Sequence, residues 1–149
     1  MKKIAPIVLL LALGLTACEP VSIWQFWFVT AKDDSGKVPT QLQFSAEGGT
    51  QTLFVETTLP YWMCRPTSLN GMVYSHPVPD SEGYIEVVGL DGWMTLKFRH
   101  RVMGPFDGTV EVIVAENSTG APRTDGIYLW NDDIPAGLTT SVTIQVRQE

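Results

Sequence analysis

Cys64, His76 and His100 are the soft metal-ligand and nucleophile candidates along the body of this chain, and their wide separation matches no zinc signature. A Cys64–His76 nucleophilic pair would need hydrogen-bond reach and a third group orienting the imidazole. The expected role of Cys64 is that of a small buried hydrophobe. Carboxylates gather at Asp33-Asp34, at Asp80 and Glu82, and at Asn131-Asp132-Asp133. Calcium takes about six to eight oxygen ligands, and none of these groups has calcium-loop spacing. A glycosidase would need two carboxyl groups across a cleft with one pKa raised. Solvated turns are the simpler expectation, so no catalytic residue, metal site or cofactor is assigned. The aromatics suggest different chemistry. Ile127 and Leu129 alternate with Tyr128 and Trp130, so if the aliphatic pair faces a core, both rings share the outer face of one strand. Flat rigid rings stack on the apolar C–H face of sugars, while amides and carboxylates bond the hydroxyls. Tyr128, Trp130, Asn131 and Asp132 are the resulting glycan-binding candidates. The competing expectation is that an N-terminal strand or a long insert covers the two rings.

The chain has 149 residues and a formal charge of −6. That disfavours a nucleic-acid partner, which would need a basic stripe to neutralise phosphates. Lys2 and Lys3 precede an apolar run from Ile4 to Leu15 that is interrupted only by Pro6 and Gly14. Twelve residues fall short of the roughly twenty that a helix needs to span a bilayer, so the segment reads as a signal peptide. It ends in Leu15-Thr16-Ala17-Cys18. This sequence resembles the lipobox of bacterial lipoprotein precursors, which implies cleavage after residue 17 and acylation of Cys18. Several acyl chains on one residue exceed the marginal attachment of a single chain, so a stable membrane anchor is implied. Glu19 is not the aspartate associated with inner-membrane retention in some bacteria, so outer-membrane sorting is expected. The chain from Cys18 to Glu149 has 132 residues, and losing Lys2 and Lys3 moves its charge from −6 to −8.

These candidate side chains must be positioned by strands. No sustained 3.6-residue apolar period runs through the chain after residue 18, whereas short alternating segments recur between Gly, Pro, Asn and Asp clusters. Val110, Val112 and Val114 alternate within Thr109 to Ala115, and Val142, Ile144 and Val146 alternate with Thr143, Gln145 and Arg147. Leu42 and Phe44 lie before Gly48-Gly49, with Leu53 and Val55 after it, giving two strands around a glycine-containing turn. Trp93 to Phe98 and Tyr84 to Val88 add two more strands. Arg65 to Pro79, rich in Pro, Ser, Asn and Gly, reads as loop or loose hairpin. Ser22 to Thr30 is apolar on both parities, which predicts a doubly buried strand. A second reading makes Trp24, Phe26, Trp27 and Phe28 a partner-binding edge strand.

The order and spacing of several residues over about residues 40–149 resemble the BACON domain, an immunoglobulin-like β-sandwich of gut Bacteroidetes named for a proposed association with carbohydrate. The resemblance rests on Phe44 before Gly48-Gly49, the strand Thr52 to Glu56, Trp62 and Gly92-Trp93. It continues through Ala115-Glu116-Asn117, Arg123, Ile127, Leu129 and the ending Ile144-Gln145-Val146-Arg147-Gln148. It implies an all-β immunoglobulin-like sandwich of about seven to nine strands, with no catalytic residues to carry over. The implied organisation is a signal peptide over 1–17, an anchored segment with an extra strand over 18–37, and a sandwich over 38–149 with a long insert at about 64–90. The implied function is glycan or mucin binding by a non-enzymatic envelope lipoprotein. The alternative is an accessory or spacer lipoprotein that docks on another envelope protein and binds no sugar. The lipobox makes one prediction directly: Cys18→Ala should move the protein from the membrane to the soluble fraction, and unchanged fractionation would contradict acylation there.

Overall fold

A computed structural model describes residues 28–58, 62–69, 78–100, 108–131 and 140–149. The signal peptide, Cys18 and the 70–77 part of the insert lie outside the described residues. Nine strands form among those described: β1 (Val29–Lys32), β2 (Gln41–Phe44), β3 (Gly49–Thr57), β4 (Met63–Pro66), β5 (Ile85–Val88), β6 (Met94–His100), β7 (Gly108–Val114), β8 (Arg123–Trp130) and β9 (Ser141–Gln148). A 3-10 turn, Thr67–Leu69, follows β4.

The strands make a five-stranded sheet, β1-β3-β7-β6-β5, and a four-stranded sheet, β2-β9-β8-β4. β1-β3-β7-β6 reproduces the A-B-E-D order of an immunoglobulin domain, and β4-β8-β9 reproduces C-F-G. β5 extends the first sheet, and β2 joins β9 in parallel. The chain is an all-β, immunoglobulin-like sandwich.

Period-two alternation explains which residues fill it. Val110, Val112 and Val114 from β7, Leu96 and Phe98 from β6, and Leu53 and Val55 from β3 are buried. They meet Ile127, Leu129, Ile144 and Val146 from the opposite sheet within one core. Trp62, the largest fully buried side chain, lies 5.5 Å from the Phe98 ring. Gly108 makes room for it, since a Cβ there would come within 2.5 Å of Trp62 Cζ2.

Two local expectations change, and the glycine-containing turn read from the sequence joins strands of different sheets, β2 and β3. Gly48 in that turn has φ +75°, and a Cβ there would strike the Val114 carbonyl oxygen. β4 runs into the segment whose composition reads as loop and ends at Pro66. It lies at the edge of its sheet, where a proline's missing N–H breaks no inner ladder. The described end of the N-terminal aromatic segment is not doubly buried: β1 is an edge strand, its Val29 and Ala31 are buried, and Phe28 is 41% exposed.

The two sheets are tied at one end by a buried side chain. Gln148, fully buried in β9, points its Nε2 at the carbonyls of Ala115 (2.8 Å), Ser45 (3.1 Å) and Ala46 (3.1 Å). Its Oε1 accepts from the Arg123 guanidinium, which also donates to the Ala115 and Glu116 carbonyls and lies 5.0 Å over the Trp93 ring. Asn117 completes the corner. Its Nδ2 donates to the carbonyls of Ala121 and Glu149, and its Oδ1 accepts from Thr119. Truncating Gln148 would strip one donor from each of these carbonyls, leave the Arg123 Nε without its acceptor and open a cavity in a closed corner. Gln148→Ala should therefore cost about 3 kcal/mol, read as a lower urea midpoint at unchanged m-value. A midpoint within error of the parent would show that the clasp is dispensable.

Candidate functional site

The outer face of the four-stranded sheet is built around β8. Ile127 and Leu129 are fully buried, and Tyr128 and Trp130 stand half-buried on the opposite side. Tyr128 is flanked in register by Arg65 of β4 and Thr143 of β9. The two rings stack with centroids 5.3 Å apart and planes 20° from parallel. The Arg65 guanidinium carbon lies 5.6 Å from the Tyr128 centroid and 5.4 Å from that of Trp130, within cation–π range of both. Each ring thus gives one of its faces to the other. β1 pairs with β3 in the other sheet, so the described part of the N-terminal segment does not cover the outer face of β8.

Below Tyr128 the surface sinks. A depression of about 350 Å³ is lined by Arg65, Thr67, Tyr128 and Thr143. Another of about 420 Å³ shares Thr67 and Thr143 with it and continues past Gly126 to Thr124 and Gln145. Adjoining at Thr67 and Thr143, they make a shallow trough beside β8. Gly126 lets Thr67 seat against the strand as a wall of this trough: a Cβ there would lie 2.9 Å from Thr67 Cγ2 and displace that side chain.

Asp125 fixes that wall. Its Oδ1 accepts from Thr67 Oγ1 (2.8 Å), the Ser68 amide (2.9 Å) and the Gly126 amide (2.7 Å), and its Oδ2 accepts from Ser68 Oγ (2.6 Å). Ser68 Oγ in turn accepts from the Leu90 amide at 3.2 Å, reaching the turn between β5 and β6 in the other sheet. The carboxylate is thus engaged in holding structure, and the Arg65 guanidinium, the Thr124 and Thr143 hydroxyls and the Gln145 amide are polar groups left to face a ligand.

The sequence candidates divide accordingly. Tyr128 and Trp130 come together on this face. Asn131 does not join them: it is fully buried, with Nδ2 3.4 Å from Thr140 Oγ1, so the position following the strand turns inward. Asp132 lies outside the described residues, as do Trp24, Phe26 and Trp27. Cys64 faces the core from β4, and complete burial pushes its thiol pKa well above the ordinary value. Its suggested partner His76 lies outside the described residues. Among those described, no three His, Cys, Asp or Glu side chains converge as a metal site. Asp33 and Asp80 are committed to their turns. Hydrogen bonds from the Ser35 side chain and the Lys37 amide hold the Asp33 pKa down, and those from the Tyr84 and Glu82 amides do the same for Asp80. Arg65, Thr67 and Gly126 escaped the sequence reading because their relation to Tyr128 depends on the long-range pairing of β4 with β8. Thr143 and Gln145 were legible as outward residues of β9.

The fold and this face define an immunoglobulin-like sandwich with a half-buried aromatic pair beside a shallow polar trough. No protein-family model matches the chain, and no curated protein is significantly similar to it.

The Asp125 anchor generates a prediction. Asp125→Ala should lower stability by about 2 kcal/mol and speed hydrogen exchange at the Ser68, Gly126 and Leu90 amides. Exchange unchanged at all three would contradict its role as the wall's anchor.

Proposed function

We propose that this protein is a non-enzymatic, BACON-type lipoprotein anchored in the outer membrane through Cys18, and that it binds carbohydrate on the outer face of the β2-β9-β8-β4 sheet. The observation that carries this reading is the placement of Tyr128 and Trp130. Both rings are half-buried with an edge at the surface, stacked and held by Arg65, next to depressions lined by hydroxyl, amide and guanidinium groups. Ligand sites commonly combine rigid apolar surface with a few placed polar groups. Sugars present the complementary pattern, an apolar ring face bordered by hydroxyls. Mucin-type glycans and polysaccharides met at the cell envelope are the proposed ligands.

A second reading rests on Phe28. Its 41% exposure at the start of an edge strand suits docking on another envelope protein, with the sandwich as a spacer. A glycan and polysaccharide panel separates the two. The carbohydrate reading expects at least one ligand, with Tyr128→Ala and Trp130→Ala each weakening it by about fivefold to tenfold, or about 1–1.4 kcal/mol. A panel without any hit would favour the spacer.

A further inference from the structure

We infer that the ligand is an acidic glycan and that the depression beside Tyr128 seats one of its charged sugars, with the oxyanion on the Arg65 guanidinium. This rests on the carbohydrate-binding reading above and deepens it. The first observation is a local reversal of charge. The four strands of this sheet carry three arginines, Arg65, Arg123 and Arg147, against one carboxylate, Asp125. Their balance is +2 in a chain of −6. Asp125 is engaged at both oxygens, and Arg123 is engaged at the corner with Gln148. Arg65 and Arg147 are therefore the charges these strands direct to the outer face, Arg65 in register with Tyr128 and an exposed Arg147 in register with Thr124. Charges farther than about 8 Å are largely screened at physiological ionic strength, so this local balance matters more to a ligand here than the acidic total.

The second observation is where the guanidinium sits. Arg65 is half-buried, 5.6 Å from the Tyr128 centroid and 5.4 Å from that of Trp130. Packing against both rings holds the group in place, so little ordering is left for binding to supply. It lines the depression of about 350 Å³ together with Thr67, Tyr128 and Thr143. That volume is at the small end of ligand sites, which start at about 300 Å³, and it suits one sugar ring. Each wall has a counterpart on an acidic sugar. The guanidinium presents N–H donors to a carboxylate or a sulfate. Thr67 Oγ1 gives its proton to Asp125, so it accepts from a sugar hydroxyl, and the Thr143 hydroxyl both donates and accepts. Tyr128 supplies the apolar side. Uronic acids, sialic acids and sulfated hexoses share this chemistry.

The test uses the full chain expressed in a bacterial host and extracted in detergent. It is titrated calorimetrically with methyl glycosides of glucuronic acid, N-acetylneuraminic acid and galactose 6-sulfate, each beside a neutral counterpart: glucose, the sialoside methyl ester and galactose. The expected result is at least one acid bound about tenfold tighter than its counterpart, and which acid it is identifies the oxyanion. Raising the salt should erase most of that preference and leave neutral binding unchanged. Arg65→Gln should abolish the preference, whereas Arg65→Lys should keep part of it, since the ammonium retains the charge without the fork. Equal affinity for acids and neutral counterparts, a preference untouched by salt, or one that survives Arg65→Gln would overturn the acidic seat. The salt and ester comparisons use the unaltered chain and decide the matter even where Arg65→Gln fails to fold. If neutral sugars bind as well as the acids and Tyr128→Ala weakens them, the carbohydrate-binding face survives without the acidic seat. No binding by either set would remove both.

Discussion

One buried amide holds the sandwich closed at the end where its turns meet. Gln148 belongs to the four-stranded sheet, yet its Nε2 reaches the carbonyl that follows β7 in the five-stranded sheet, as well as two in the turn that carries the chain from β2 to β3. A buried amide left without partners costs more than the hydrogen bonds return in net stability, so such a group acts mainly by penalising alternatives. A one-residue slip of β9 would turn Gln148 outward and Arg147 inward, exposing Ile144 and Val146 at the same time. The clasp and the aliphatic alternation specify the same register, and that agreement between levels is what singles out one fold.

The functional face inherits its order from this register. Once β9 is fixed, β8 follows through their antiparallel pairing, which sets Arg123 opposite Gln148 and Tyr128 opposite Thr143. The Asp125 network then adds the 3-10 turn and ties it to the opposite sheet through Ser68 and Leu90. The trough is accordingly built on rigid strands and on a turn held by four acceptor contacts. Such a surface is preorganised, so less binding energy is lost in ordering it.

How much of this could be read from the sequence depended on the range of the interactions. The alternation of Val110, Val112 and Val114 and of Ile127 and Leu129 is local, and it placed those residues in a core and Tyr128 and Trp130 outside it. The corner residues Asn117 and Gln148 were legible only through the order and spacing in which the chain resembles the BACON domain. What escaped was non-local. The crossing of β2 and β3 between sheets, the pairing of Pro66 with Ile127 and the seat of Thr67 over Gly126 depend on partners dozens of residues away. Asn131 failed as a surface candidate because its inward turn is decided by burial of the strand end, which local polarity does not reveal. The lipobox and the N-terminal aromatics remain expectations of sequence, since Cys18 and Trp24 to Trp27 lie outside the described residues.

The most direct test of the central claim is where a bound glycan touches the protein. Backbone amide chemical shifts, recorded while a pool of mucin O-glycans is added, would locate it. The expected perturbations group on Arg65 and Thr67, on Thr124 to Tyr128 and on Thr143 to Gln145. Perturbations grouped instead along β1 and Phe28, or a spectrum unchanged at saturating glycan, would contradict it.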